Sequence, residues 1–89
     1  MHQVQLDYLK VKAKWDLAME QLKAGVKIAD DELDALENEL LDAEDALRDW
    51  VMSRVMPILK SRGITEKDVI DVFTYKTEEA IDLALRLRV

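Results

Sequence analysis

The chain reads IADDELDALENELLDAEDALRDWVMSRVMPIL from Ile28 to Leu59, and this stretch decides the fold. Its apolar residues recur at alternating intervals of three and four positions, which places them on one face of an α-helix. They are Leu33, Leu36, Leu40, Ala43, Leu47 and Trp50. The pattern predicts a helix over residues 30–62, with Asp30 or Asp31 as its N-cap. Because Pro57 has no backbone N–H to donate, we expect the helix to kink there.

A second amphipathic segment precedes this one. Six residues spaced by four and three predict a helix over residues 3–24. They are Val4, Tyr8, Val11, Trp15, Ala18 and Leu22. Gly25 follows, and glycine readily adopts the left-handed conformation that ends helices. We therefore predict a turn at residues 25–29 and an antiparallel hairpin of two long helices, which would place Tyr8 near Leu47.

A single unbroken helix is the alternative to the hairpin. The apolar stripe continues through Val26, Ala29 and Leu33 with only a small change of phase, and one glycine inside a helix costs about 1 kcal/mol. Such a long continuous helix would be stable only in an oligomeric coiled coil. We favour the hairpin because an acidic cap at Asp30 would have no role in the middle of a continuous helix.

The last third of the chain predicts two short C-terminal helices. Residues 50–59 are apolar almost all round the helix, which is typical of a segment covered on several sides. Gly63 is placed to end this helix, and Thr65 and Thr77 are placed to cap two more. We predict one all-α domain over residues 1–89. Its predicted helices cover residues 3–24, 30–62, 66–73 and 78–88.

The composition removes most catalytic chemistry. The chain has no cysteine, so disulfides, thiolate nucleophiles and cysteine-based zinc sites are excluded. Its one histidine, His2, lies in a terminus that we expect to fray, so the serine and threonine hydroxyls lack a base to activate them. The acidic residues also lack the Glu-x-x-His spacing of carboxylate-bridged metal sites. We predict that the protein is not an enzyme and that it holds no metal and no cofactor.

The hydropathy of the chain does not indicate membrane insertion. No apolar run approaches the ~20 residues that a membrane-spanning helix needs. No hydrophobic segment of the kind found in secretory signals follows the first residues. We therefore expect a soluble, cytoplasmic protein without a membrane partner.

The net charge of −6 is concentrated in one helix. Residues 30–49 hold ten acidic residues and a single basic one, Arg48, whereas the segments on either side are slightly basic. We interpret this acidity as a solvated helix face, partly neutralised by lysines of the first helix. The alternative gives this helix a function: the protein would be a small regulator of nucleic-acid machinery, either by imitating a phosphate backbone with its acidic helix or, as the less favoured form, by binding nucleic acid directly.

Direct nucleic-acid binding is not expected. Residues 54–73 would form a helix, a glycine turn and a helix, as in helix-turn-helix motifs, whose second helix carries polar and basic side chains into the major groove. The second helix here offers Glu66, Asp68 and Asp71 with only Lys67. Because phosphates would repel this helix, we do not expect nucleic acid as its partner.

The leading hypothesis is association through the apolar face of the hairpin. A helix that runs from residue 30 to Pro57 would be about 40 Å long, whereas a compact domain of this size has a radius of gyration of about 12 Å. One end should therefore project beyond the short helices and leave apolar side chains open to water. We predict a non-enzymatic protein–protein interaction module, a small adaptor or scaffold that acts as a homodimer. The predicted partner-binding residues are Met19, Leu22, Val26, Leu33, Leu36 and Glu37.

Overall fold

A computed structural model describes residues 1–88, which fold into helices without any strand. The helices are α1 (Gln3–Lys23), α2 (Asp30–Trp50), α3 (Met56–Lys60), α4 (Glu66–Tyr75) and α5 (Thr77–Arg86), with a π-helical turn (Val51–Val55) between α2 and α3. α1 packs along α2, and α5 packs against both α2 and α4. The all-α prediction is confirmed, and α1 and α2 form the predicted hairpin.

Gly25 ends α1 with backbone hydrogen bonds that a continuous helix cannot make. Its φ is +86°, in the left-handed region that glycine adopts without steric cost. The Val26 N–H donates to the Gln21 carbonyl at 2.9 Å, and the Gly25 N–H donates to the Leu22 carbonyl at 3.1 Å. This pair of bonds defines a Schellman motif. The single-helix alternative is therefore wrong, and α1 ends one residue before the predicted boundary.

α2 begins with acidic residues inside its first turn rather than at its cap. The N-cap is Ala29, whose carbonyl accepts from the N–H groups of Glu32 and Leu33. The prediction of Asp30 or Asp31 as the N-cap is wrong, because Ala29 already supplies the extended backbone before the helix and no side chain caps it. The two carboxylates still stabilise α2, since negative charge is favourable at the N-terminal end of the helix dipole.

The turn before Pro57 is π-helical. The Met56 N–H donates to the Val51 carbonyl, five residues back. In a regular α-helix the ring of Pro57 would clash with the Ser53 carbonyl. Ser53 lies inside the π-helical turn, which is wider than an α-helical one. The backbone stays right-handed helical from α2 into α3. The irregularity predicted at Pro57 is therefore accommodated in the turn before it, without a break in the helix.

Gly63 ends the helical segment that contains α3, as predicted. Its φ is +82°. The Ile64 N–H donates to the Leu59 carbonyl at 3.0 Å, and the Gly63 N–H donates to the Lys60 carbonyl at 3.1 Å, which makes a second Schellman motif. The Arg62 N–H bonds only three residues back, to Leu59. The last turn is thus tightened, and α3 stops two residues before the predicted boundary.

α4 and α5 begin in different ways. Thr65 caps α4 as predicted: its hydroxyl accepts from the Asp68 N–H at 3.2 Å, and the Asp68 carboxylate accepts from the Thr65 N–H at 3.0 Å. The prediction that Thr77 caps the last helix is wrong. α5 begins at Thr77 itself with Lys76 as the N-cap, and the Thr77 hydroxyl instead donates to the Phe73 carbonyl at 2.8 Å. α4 runs two residues further than predicted, and α5 begins one residue and ends two residues earlier.

The hydrophobic core lies at the end of the hairpin away from the α1–α2 loop. There the π turn, α4 and α5 close over the two long helices. The core consists of Tyr8, Leu47, Trp50, Val51, Val55, Met56, Val69, Ile81 and Ala84. Tyr8 and Leu47 therefore belong to the same cluster, as the register of the hairpin predicts.

His2 does not fray, contrary to expectation. It is the N-cap of α1, and its Nδ1 atom accepts from the Val4 N–H at 3.3 Å. Its ring stacks on Trp50, with the ring centroids 5.1 Å apart. The prediction fails because the imidazole both caps a helix and covers an aromatic side chain of the core.

Gln5 joins the first helix to the last one. Its side chain is fully enclosed, with the residue 1% exposed. Nε2 donates to the carbonyls of Ala84 at 2.8 Å and Leu87 at 3.0 Å, and Oε1 accepts from the His2 N–H at 2.8 Å. The last carbonyls of a helix lack their usual partners within it. The Ala84 carbonyl accepts a long bond from the Leu87 N–H at 3.4 Å, and Gln5 supplies it with a shorter one. α1 therefore holds α5 by polar contacts as well as by apolar packing.

Burial makes the stability of the core sensitive to alkaline pH through Tyr8. Burial, and after it the negative charges of Glu44 and Asp16, raise the pKa of Tyr8 from 10.0 to about 12. The Tyr8 hydroxyl thus keeps its proton to a higher pH in the folded chain than in the unfolded one. The contribution of the neutral Tyr8 side chain to the free energy of unfolding is complete below pH ~10. It is lost as the pH rises from there towards the folded pKa.

We expect Tyr8→Phe to reduce the loss of stability above pH ~10, because the ring stays and the ionisable hydroxyl goes. The measurement is the melting temperature by circular dichroism on either side of that pH. Tyr75→Phe is the matched control, since Tyr75 is 81% exposed and lies outside the core. Each variant differs from the wild type by one hydroxyl and keeps its other ionisable groups, so the comparison isolates Tyr8. Equal falls in melting temperature for the wild type and Tyr8→Phe would contradict the assignment.

Candidate interaction surface at the hairpin tip

The hairpin tip, defined as residues 15–41, extends away from the core. The chain measures 49 × 25 × 18 Å, and its radius of gyration is 15.1 Å, against about 12 Å for a compact domain of this length. Within the tip only Ala18 is fully buried, and only Leu40 packs against the core. The projection expected from the helix lengths is therefore present.

The six predicted partner-binding residues lie in the α1–α2 loop or within about two helical turns of it. The half-buried ones are Met19, Leu33 and Leu36, and the exposed ones are Leu22, Val26 and Glu37. Leu22 is 38% exposed and Val26 is 50% exposed. A hairpin of two helices covers each apolar face from one side only, so the other side stays in contact with water. The tip thus presents a partly covered apolar surface beside an exposed carboxylate.

Two exposed leucines of the tip lie outside the predicted set. Leu17 is 56% exposed and Leu41 is 49% exposed. Both are off the apolar stripe, so the periodicity assigns them to the solvated face. The only signal in the sequence is an aliphatic residue beside a charged one, Asp16 or Asp42, and this signal is weak because single exposed leucines are common. They enlarge the apolar area of the tip.

The acidic face of α2 is barely neutralised within the chain. Among residues 1–88, one ion pair joins α1 to α2, between Lys14 and Glu39 at 3.7 Å, and both side chains are more than half exposed. The expectation that lysines of the first helix pair with the acids of the second is therefore met at one position only. An exposed pair of this kind contributes about 0–1 kcal/mol, so it does little to offset the repulsion along α2.

The ion pairs that α2 makes within residues 1–88 lie in the middle and at the far end of the helix rather than near the loop. Arg48, the basic residue of α2, pairs with Asp45 and Asp49, each at 3.6 Å, at the far end of the helix. The carboxylates of the first two turns make no ion pair within residues 1–88. They are Asp30, Asp31, Glu32, Asp34 and Glu37. The tip therefore combines apolar side chains with unneutralised negative charge.

Glu44 carries the shifted carboxyl group of this face. Burial raises the pKa of Glu44 above its ordinary value, the neighbouring charge of Asp45 raises it further, and Lys12 opposes the shift. Glu44 is half-buried and lies on the side of α2 that faces α1.

The described residues contain no group of three or more histidine, aspartate or glutamate side chains arranged to hold a metal ion. Among the same residues, no helix is both long enough and apolar enough to cross a membrane.

Comparisons with known proteins give no match to any family model, to any curated protein or to any solved structure.

Proposed function

We propose that the chain is a non-enzymatic interaction module, a small helical adaptor or scaffold, and that it forms a symmetric homodimer through the hairpin tip. One observation carries the proposal: the tip projects beyond the core and leaves its apolar seam half-covered. Leu22 and Val26 are the most accessible members of that seam.

The free energy for association comes from apolar area. Removing such area from water contributes about 25 cal/mol per Å², and two hairpins that pack face to face form a four-helix arrangement with a common core. A two-fold axis lets the same patch serve both copies, so no second kind of surface is needed. The half-buried residues Met19, Leu33 and Leu36 would then be covered from both sides.

Charge selects the arrangement of the two copies. α2 is strongly acidic over residues 30–49, so two α2 helices placed side by side would repel each other. The basic residues of the tip are Lys23, at the end of α1, and Lys27, in the loop. A dimer that sets α1 of one copy against α2 of the other brings opposite charges together at the edges of the apolar contact. We therefore favour that arrangement, in which charge sets the register and apolar contact supplies the stability.

The mass in solution tests this proposal. We expect sedimentation equilibrium at micromolar concentration to give twice the chain mass of 10.3 kDa. Leu22→Asp and Val26→Asp should each weaken the dimer by about tenfold or more, because a charge enters the contact. Ile70→Asp is the matched control: Ile70 is 46% exposed on α4, outside the tip, and its variant should remain dimeric. Circular dichroism verifies that every variant stays helical. A wild type of monomer mass would refute the dimer.

A second candidate is favoured by the unneutralised carboxylates at the start of α2. In this case the chain is a small regulator that presents its acidic helix to a basic, nucleic-acid-binding groove by charge mimicry. The two proposed kinds of binding differ in their dependence on salt. Binding to a basic polypeptide such as polyarginine should weaken steeply from low to moderate salt, whereas the apolar dimer should persist. If the affinity for polyarginine were the same at low and at moderate salt, the second candidate would be refuted.

A further inference from the structure

An open cavity of about 390 Å³ lies between the π turn, α4 and α5, at the end of the molecule away from the hairpin tip. Ten of its twelve lining residues are apolar, and the two charged ones are Asp68 and Arg86. Its main walls include Val51, Leu59, Phe73 and Leu83. The volume falls within the range of about 300–1,000 Å³ typical of small-molecule sites, and so does the mainly apolar lining with few polar groups. We call this cavity the C-terminal groove.

The walls of the C-terminal groove are fixed by the fold. Val51, Val69 and Ala84 belong to the core and are each less than 10% exposed, so the floor is formed before any ligand arrives. The capping bonds of Thr65 hold the start of α4, and the Gly63 turn holds the end of α3. Ordering flexible side chains and loops accounts for a large part of the free energy that opposes binding. A preformed groove avoids this cost.

One negative and one positive side chain line the groove, and they differ in their partners. The Asp68 carboxylate accepts the Thr65 N–H at 3.0 Å, and the hydrogen bonds from Thr65 hold the pKa of Asp68 below its ordinary value. This carboxylate is thus ionised and hydrogen-bonded within the cap of α4. Arg86, by contrast, lies within ion-pair distance of no acidic side chain among residues 1–88. A guanidinium without such a partner at the edge of an apolar groove matches a carboxylate or another planar anion.

We propose that the C-terminal groove binds a small molecule with an unbranched apolar chain and a carboxylate head, with the chain between α4 and α5 and the head at Arg86. A partner helix fits the groove less well, because helix recognition uses anchors spread over about two turns, whereas this cavity is at the small end of the ligand range. The proposal does not depend on the homodimer, since no residue of the hairpin tip lines the groove.

Isothermal titration with straight-chain carboxylates tests the apolar part of the proposal. We expect saturable one-to-one binding of hexanoate, octanoate and decanoate, with the dissociation constant falling about fourfold for each added methylene until the groove is full. Leu83→Glu should abolish binding of octanoate, because Leu83 is 59% exposed at the groove and the new carboxylate repels the head group. Ile70→Glu places the same charge on α4 outside the groove and should bind as the wild type does. Absence of saturable binding, or loss of the helical circular dichroism signal in step with binding, would overturn the proposal.

The role of Arg86 is tested by changing one charge at a time. We expect octanoate to bind about tenfold more tightly than octanol, and octylammonium to bind more weakly than either. Arg86→Gln should weaken octanoate binding about tenfold and leave octanol binding unchanged. Arg88→Gln is the matched control and should change neither. Equal binding of octanoate and octylammonium, or equal effects of Arg86→Gln and Arg88→Gln, would overturn the assignment of the carboxylate to Arg86.

Discussion

Leu47→Ala is expected to lower the free energy of unfolding by about 3–5 kcal/mol. Leu47 is 0% exposed and belongs to the core cluster where α2 meets α1 and α5. Alanine would lose the transfer free energy of three carbon atoms and leave a cavity that the surrounding helices cannot easily close. The total stability of a domain of this size is only about 5–15 kcal/mol, so this single change would bring the chain close to unfolding.

Urea denaturation followed by circular dichroism measures the effect. Leu6→Ala makes the same chemical change on α1, at a residue that is 39% exposed and lies outside both the core and the hairpin tip, and should lower the free energy of unfolding by less than about 1 kcal/mol. All variants are compared at one protein concentration, because self-association would make stability depend on it. Similar losses for the two variants would place the centre of the core elsewhere.

Gln5→Leu is expected to lower the free energy of unfolding by about 2–4 kcal/mol, although it makes the core more apolar. Leucine has nearly the same volume, but it leaves the carbonyls of Ala84 and Leu87 and the N–H of His2 without their present partner. A buried polar group without a partner costs about 1–3 kcal/mol. The expected loss should appear in urea denaturation and as faster amide exchange in α5.

Gln5→Glu separates the donor function of this side chain from its size. A carboxylate accepts hydrogen bonds but cannot donate to two carbonyls, so we expect it to destabilise the chain at neutral pH at least as much as leucine does. At a pH low enough to protonate the new glutamate, one donor returns and part of the difference should disappear. Gln3→Leu is the matched control, since Gln3 is exposed and bonds only to Asp7. Full stability of Gln5→Leu would show that these hydrogen bonds are not needed.

The features that sequence predicts well are those that neighbouring residues determine. The glycines at 25 and 63 end their helices as predicted because a left-handed residue is needed there and glycine adopts it at no steric cost. The stripe spacing likewise predicts which faces of α1 and α2 meet. At the candidate surface, the lengths of the helices predict the projecting tip, because 1.5 Å per residue is a property of any α-helix.

The features that sequence misses depend on residues far apart in the chain. Gln5 lies beside the apolar stripe and looks like a solvated side chain, but its partners are 79 and 82 residues away. Thr77 has the local pattern of an N-cap, yet its hydroxyl is taken by the preceding helix. The C-terminal groove is missed for the same reason, since residues 50–59 read as covered all round and one side of them in fact opens into a cavity formed with α4 and α5.

The contact of Gln5 with Leu87 also makes the two ends of the molecule different. Residues at the beginning and at the end of the described chain sit together at one pole, and the α1–α2 loop forms the other pole of a body 49 Å long. The chain is therefore suited to circular permutation: a short linker could join the region of residue 1 to that of residue 88, and new ends could be made in the α1–α2 loop without cutting a helix. A label, a surface or a second domain attached beside residue 1 or residue 88 would leave the hairpin tip facing outward.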